Sequence, residues 1–180
     1  MDLARTALES YLPGDAREAG FRRRMLELLH LPLSTSRRHF EPGHFTASAF
    51  VVSPERDAVL LIFHKKLGIW VQPGGHIEPT DASLLGAAQR EVAEEVGLEL
   101  DADGAATIFD LDVHAIPARK DEPAHEHFDV RFCFHSPTRA FAQSDEVADA
   151  RWAPLAELDQ LTSDESVRRA ARKLGAPERR

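Results

Sequence analysis

Residues 68–98, GIWVQPGGHIEPTDASLLGAAQREVAEEVGL, constrain the fold more than any other stretch of this chain. A short apolar run, Gly68–Gln72, reads as a strand and enters a turn carrying Pro73, Gly74 and Gly75. A helical pattern follows over about 82–96. Thr80 or Asp81 is placed to cap its first turn, and Gly97 suits the left-handed position past its end. Leu85, Ala88, Val92 and Val96 form one apolar stripe that must be buried against something.

The same helix crowds three acids on its adjoining face, with Glu91, Glu94 and Glu95 at i, i+3 and i+4. Like charges so spaced cost only about 0.2–0.5 kcal/mol per pair on an exposed helix, so a solvated surface tolerates them. A metal site would use the same spacing. Mg²⁺ takes a few carboxylates together with water and substrate phosphate oxygens, and glycines in the preceding turn let backbone carbonyls approach an ion. Arg90, four residues before Glu94, is placed to hold that carboxylate.

The remaining chain supplies a sheet for the helix to cover. FTASAFVVS (45–53), AVLLIFH (58–64), TIFDLDVHAI (107–116) and HFDVRFCFHS (127–136) read as strands, with a further short one at 151–153. Two helices are expected at the N-terminal end, over 2–12 and 15–30, with Leu3, Ala7, Leu8 and Leu12 sharing a face of the first and Phe21, Met25, Leu28 and Leu29 a face of the second. PLAELDQL (154–161) and DESVRRAARKL (164–174) are helical in pattern, and the last residues should fray. Strands with one strongly marked helix between them and another at the end imply a mixed sheet covered by helices.

Twenty-two basic against 30 acidic side chains give a formal net charge of −8, with no basic face of the kind a duplex-binding protein presents. Nucleic acid is therefore not an expected partner. The longest apolar stretch, 58–63, is far too short to span a bilayer, and MDLARTALES is polar with no apolar signal core, so no membrane partner and a cytoplasmic location are expected. A lone cysteine, Cys133, permits no internal disulfide, and its apolar surroundings VRFCF suit a buried small hydrophobe.

Gly75 followed by Arg90-Glu91-Val92-Ala93-Glu94-Glu95-Val96-Gly97-Leu98 resembles the Nudix box: Gly, five residues, Glu, seven residues, then Arg-Glu-apolar-any-Glu-Glu-any-Gly-apolar. The second half matches at every fixed position. GIWVQPGGHIE and SDEVADARWAPLAEL (144–158) also resemble the flanks of that family, so the likeness spans roughly 44–162. It implies a Nudix-type α/β/α sandwich with a mixed β-sheet, extended by the N-terminal helical arm. It divides the chain into the arm at 1–43, a Nudix hydrolase domain at 44–162, and a C-terminal helix and tail at 163–180. It further implies Mg²⁺- or Mn²⁺-dependent hydrolysis of a phosphoanhydride in a nucleotide-type small molecule. Glu91, Glu94 and Glu95 would bind the metal with the Gly74 or Gly75 carbonyl, and Arg90 would orient the glutamates. One departure stands out. Asp81, not Glu, follows five residues after Gly75, and eight residues rather than seven separate it from Arg90; counting back from Arg90 reaches Ala82. A one-residue insertion accounts for both counts.

A second unusual segment, DVHAIPARKDEPAHEHFDVRF (112–132), is rich in histidine and acid. It also resembles a subgroup of the family with a helical arm. One reading is a solvated loop and a polar strand face. In the other, Glu122 or Glu126 supplies a catalytic base or a metal ligand, while His76, His125, His127 and Arg131 contact substrate. His114 with His125-x-His127 keeps a histidine-based zinc site open. Trp70, Trp152, Phe45, Phe63 and Phe109 are read as core or turn packing. Two roles stand open for the arm, capping the site or mediating a homodimer. A non-catalytic nucleotide sensor is the main alternative to the hydrolase. An isomerase of allylic diphosphates is disfavoured because the sole cysteine lies inside a strand.

Overall fold

The computed structural model describes residues 2–65, 67–100, 107–162 and 164–175. Its elements run α1 (Asp2–Ser10), α2 (Ala16–Leu28), β1 (Gly43–Val52), β2 (Ala58–His64), β3 (Ile69–Val71), β4 (Gly74–His76), α3 (Leu84–Val96), β5 (Ile108–Ile116), β6 (His125–His135), β7 (Asp149–Pro154), a 3₁₀ turn (Leu155–Glu157), α4 (Leu158–Leu161) and α5 (Glu165–Leu174). Seven strands form one mixed sheet of order β3-β2-β1-β6-β5, with β4 also paired to β1 and β7 to β2. This is the α/β/α sandwich expected from the sequence. No helix among the described residues is long and apolar enough to cross a membrane. The tail from 176 onward lies outside the described residues.

β1 organises the sheet. It is buried along its full length and pairs in parallel with β6 from Gly43↔Glu126 to Val52↔His135. On its other side β2 meets it only near Val52↔Val59, so the two strands diverge and leave an edge of β1 free. β4 fills that gap, antiparallel, through Ser48↔Gly74, Ala47↔Gly75 and Thr46↔His76. The sequence marked this place as a turn; it is a three-residue strand, because the glycines allow a close approach that side chains would forbid. Gly74 has φ +155°, and a Cβ there would come within 2.3 Å of the Ser48 Cβ.

Alternation along the strands sends odd and even residues of β1 to opposite faces. Phe45, Ala47, Ala49 and Val51 join Phe128, Val130, Leu111 and the α3 residues Ala87, Ala88, Val92 and Val96 in the larger core. Phe50, Val52, Val59 and Leu61 meet Val167, Ala170 and Ala171 of α5 in the smaller one. The arm shares the larger core through Leu8, Met25, Leu28 and Leu29. Leu3 and Leu12, expected on the buried face of α1, are instead 72% and 87% exposed; the helix stops at Ser10, so Leu12 is no longer on its face. Partly buried Cys133, Phe109 and Trp70 pack against the smaller core, Trp152 and Phe45 belong with the larger, and Phe63 meets Trp70 edge-on at 5.4 Å.

Candidate functional site

α3 begins one to two residues later than its sequence pattern implies. Ser83, rather than Thr80 or Asp81, is the N-cap and accepts from the Gly86 N–H at 3.0 Å; Gly97 ends the helix at φ +63° as expected. Asp81 is thereby released for another task. Its two carboxylate oxygens each accept a hydrogen bond of 3.0 Å from the Arg90 guanidinium, one from Nε and one from an Nη. The same guanidinium donates to Glu91 at 3.1 Å, to Glu94 at 2.8 Å and to the His76 carbonyl at 2.9 Å. The departure from the box pattern therefore retains a carboxylate tie on Arg90, and the extra residue is absorbed in the loop ahead of Ser83.

The sheet brings β4 against the acidic face of α3. A Cβ on Gly75 would lie 2.6–2.7 Å from the Glu91 carboxylate, so only glycine lets that acid reach the strand. Glu95 accepts from the Gly74 N–H at 3.1 Å. Glu95 is 9% exposed, and burial pushes its carboxyl up to about 8; the Gly74 N–H opposes this, while Glu91, Glu146 and Glu94 add to it. Glu91 is also raised, by burial first, against the pull of Arg90. Glu94, with its side chain 46% exposed, forms the outer lip. Glu146, in the loop before β7, repels both Glu91 and Glu95. Sequence reasoning missed it, because nothing in SDEV separates a site residue from an ordinary acidic loop.

The loop acids proposed from the sequence sit elsewhere. Glu126 is ion-paired to Arg24 of α2, whose guanidinium lies 5.1 Å from the Phe128 ring centre. Glu122 faces Arg37 at 3.8 Å and acts on His76. Arg131 requires a correction. Its side chain is 2% exposed and committed to Asp129 at 2.8 Å, Asp110 at 3.2 Å and Asp112 at 3.4 Å, with Ser166 of α5 closing over it. It holds sheet to helix and is out of a substrate's reach. The reason is positional, since α5 covers that stretch of β6.

Beyond the reach of α5, the same sheet face carries histidines. His44, His76 and His127 present ring nitrogens all within 4.8 Å of one another. His125 Nε2 is 3.3 Å from His127 Nε2, and the His114 ring centre is 5.5 Å from that of His127. Burial first, then neighbouring histidines, drives His127 well below the usual imidazole range and lowers His76 to about 4. Burial also lowers His44. These rings are neutral at neutral pH.

The chain is similar to known proteins over most of its length. The family model described as NUDIX domain matches residues 42–174. Among solved structures, the chain resembles a MutT NUDIX hydrolase from Burkholderia pseudomallei, at 23% identity and TM-score 0.56, covering 72% of this chain and 95% of that one. It also resembles the E. coli dihydroneopterin triphosphate pyrophosphohydrolase, at 19% identity and TM-score 0.57, covering 72% and 92%. A third is the NUDIX domain of Shewanella oneidensis NrtR complexed with ADP ribose, at 21% identity and TM-score 0.55, covering 72% and 84%. At these identities the structural likeness establishes the fold. No curated protein sequence matches the chain.

Proposed function

This chain belongs to the NUDIX domain family, and on that premise we propose that it is a hydrolase that cleaves a phosphoanhydride bond in a nucleoside triphosphate or a nucleoside diphosphate conjugate, with Mg²⁺ or Mn²⁺ as cofactor. The observation that carries the proposal is the surplus of negative charge at the junction of β4 and α3. Asp81, Glu91, Glu94, Glu95 and Glu146 gather there, and the ion pairs of Arg90 among the described residues reach Asp81, Glu91 and Glu94. Glu95 is buried with a single N–H for support. Leaving such acids uncompensated is costly, and a hard divalent cation with oxygen donors is the natural counter-charge. The Gly75 cradle fits this, since its missing side chain is what brings the Glu91 carboxylate to the strand.

Glu91, Glu94 and Glu95, with the Gly74 or Gly75 carbonyl, would hold the ion. When bound, a cation of this kind neutralises phosphate oxygens and acidifies a water. The protein's own groups do the rest. Arg90 keeps Glu91 and Glu94 in fixed positions by donating to both. Gly74 N–H orients Glu95. Glu146, on a later loop and acting electrostatically on both buried acids, would take the proton from the attacking water. Glu122 and Glu126, engaged with Arg37 and Arg24, are second choices for that role. Two structural relatives, a dihydroneopterin triphosphate pyrophosphohydrolase and a NUDIX domain complexed with ADP ribose, support the compound class proposed for this chain without fixing its base or leaving group.

The test is a panel of nucleoside triphosphates and diphosphate conjugates with Mg²⁺ or Mn²⁺, reading phosphate and pyrophosphate separately. Cleavage of at least one member, lost on chelation and restored by the ion, is expected. Saturable binding of panel members without turnover would overturn hydrolysis and favour the sensor. Glu146→Gln should slow turnover far more than Glu122→Gln or Glu126→Gln; equal, near-normal rates for all three would remove Glu146 as base.

A further inference from the structure

We propose that His44, His76 and His127 form a second metal site, for a borderline transition cation of the Zn²⁺ class, on the face of the sheet opposite the carboxylate ledge. The separation follows from β4 itself. Successive residues of a strand point to opposite faces. Gly75 faces Glu91, whereas the His76 ring packs against His44 and His127, with centroids 5.2 Å away in both cases. One peptide therefore lies between two donor sets of different chemistry, oxygen on one side and imidazole nitrogen on the other.

Three observations point to a ligand. First, the three ring nitrogens lie within 4.8 Å of one another. Tetrahedral Zn–N bonds of about 2.0–2.1 Å place neighbouring nitrogens about 3.4 Å apart, a closure that side-chain rotation can supply. Second, His44 is 1% exposed, and its Nε2 has no hydrogen-bond partner among the described residues. A buried bare nitrogen is expensive unless something occupies its lone pair. Third, the outer hydrogen bonds are those of ligating histidines. His44 Nδ1 faces the His39 carbonyl at 3.1 Å, and because a carbonyl only accepts, the proton sits on Nδ1 and Nε2 is left as a donor to metal. His125 repeats the arrangement, with Nδ1 2.8 Å from the Pro123 carbonyl and Nε2 turned toward His127. His125 Nε2 or a water is thus placed to complete a four-coordinate site.

Imidazole selects Zn²⁺, Co²⁺, Ni²⁺ or Cu²⁺ over Mg²⁺, so the two sites would not compete for one ion. Arg37 and Glu122 face this cluster as an ion pair, so the outer charge near the ring of His76 is balanced.

The test uses the full chain carrying Glu91→Gln and Glu94→Gln, which weakens the ledge, titrated with Co²⁺ alone and then with Zn²⁺. One Co²⁺ per chain with the intense visible bands of four-coordinate geometry is expected, displaced by Zn²⁺. Adding His127→Gln, or separately His76→Gln, should weaken binding by more than about 100-fold. An unchanged metal-free melting profile identifies which of the two variants remains folded. His114→Gln should bind as its parent does. The proposal fails if Co²⁺ shows only the weak bands of six-coordinate oxygen ligation, if binding disappears with the two glutamates, or if folded histidine variants bind normally.

Discussion

Two acidic clusters occupy this molecule, and their difference separates scaffold from site. At the arm and α5, Glu18, Asp110, Asp112 and Asp129 face Arg131, Arg169 and Lys173: four acids against three bases, interlocked and almost wholly buried. Burial works to raise Asp110, but Arg131 and Arg169 outweigh it and hold the carboxyl below its ordinary value; Asp112 behaves likewise, helped by His114. At the ledge, Arg90 pairs with Asp81, Glu91 and Glu94, and at the more deeply buried Glu95 burial wins, so its carboxyl rises to about 8. Acid clusters alone therefore say little. What differs is the pairing: Asp110 and Asp112 have cations against them, whereas Glu95 has the Gly74 N–H.

The sharpest way to break this contrast is Arg131→Leu, which takes from Asp129 its ion-pair partner and from Asp110 and Asp112 one of several. It should cost about 3–5 kcal/mol in urea unfolding, and a loss under about 1 kcal/mol would mean the network does not hold α5 to the sheet. Glu94→Gln should do the reverse. Stability should stay within about 0.5 kcal/mol, while turnover of the best panel substrate falls by about 10²–10³-fold; normal turnover would remove the ledge from the chemistry. Asp81→Asn comes next, at about tenfold in turnover, because Arg90 keeps its bonds to Glu91, Glu94 and the His76 carbonyl. An effect as large as that of Glu94→Gln would make Asp81 a direct participant.

The subtlest difference is in pH dependence. Glu95 has a raised folded value, so its contribution in the metal-free protein is fully present below its unfolded value of 4.5 and is lost as pH rises through about 8. Asp110 and Asp112 are lowered, so theirs is present above the ordinary carboxylate range and is lost as pH falls. Glu95→Gln should flatten the stability profile between about pH 4.5 and 8 and leave the acid side below it alone. A profile unchanged on both sides would show that Glu95 is not held protonated.

The helix and its ledge were legible because capping, the apolar stripe and glutamate spacing are all local and periodic. β4 was not, since three residues with two glycines carry a turn signature, and only the divergence of β1 from β2 makes them a strand. Arg131 was misread for a related reason. Strand alternation puts it on one face of β6 with His127 and Asp129, but no local pattern reveals that α5 covers part of that face and spares the rest. Glu146 is a feature of loop placement and left no trace in the sequence. His44, just ahead of the strand read at 45–53, carried no signal of its own, although GHF beside PGGH and HEHF becomes a cluster once β1, β4 and β6 are aligned.

The meeting of Tyr11, Glu18 and Lys173 ties the two ends of the chain together. Lys173 reaches Glu18 and lies 3.1 Å from the Tyr11 hydroxyl, which itself donates to Glu18 at 3.0 Å. A protein trimmed to residues 42–174 would lose both arm partners of that clasp. It would also bare the floor beneath Leu8 and Met25, inviting association through a freshly wetted apolar surface. The leading forty residues are best regarded as part of the folding unit, and anyone shortening this chain should expect to lose soluble material before losing catalytic parts.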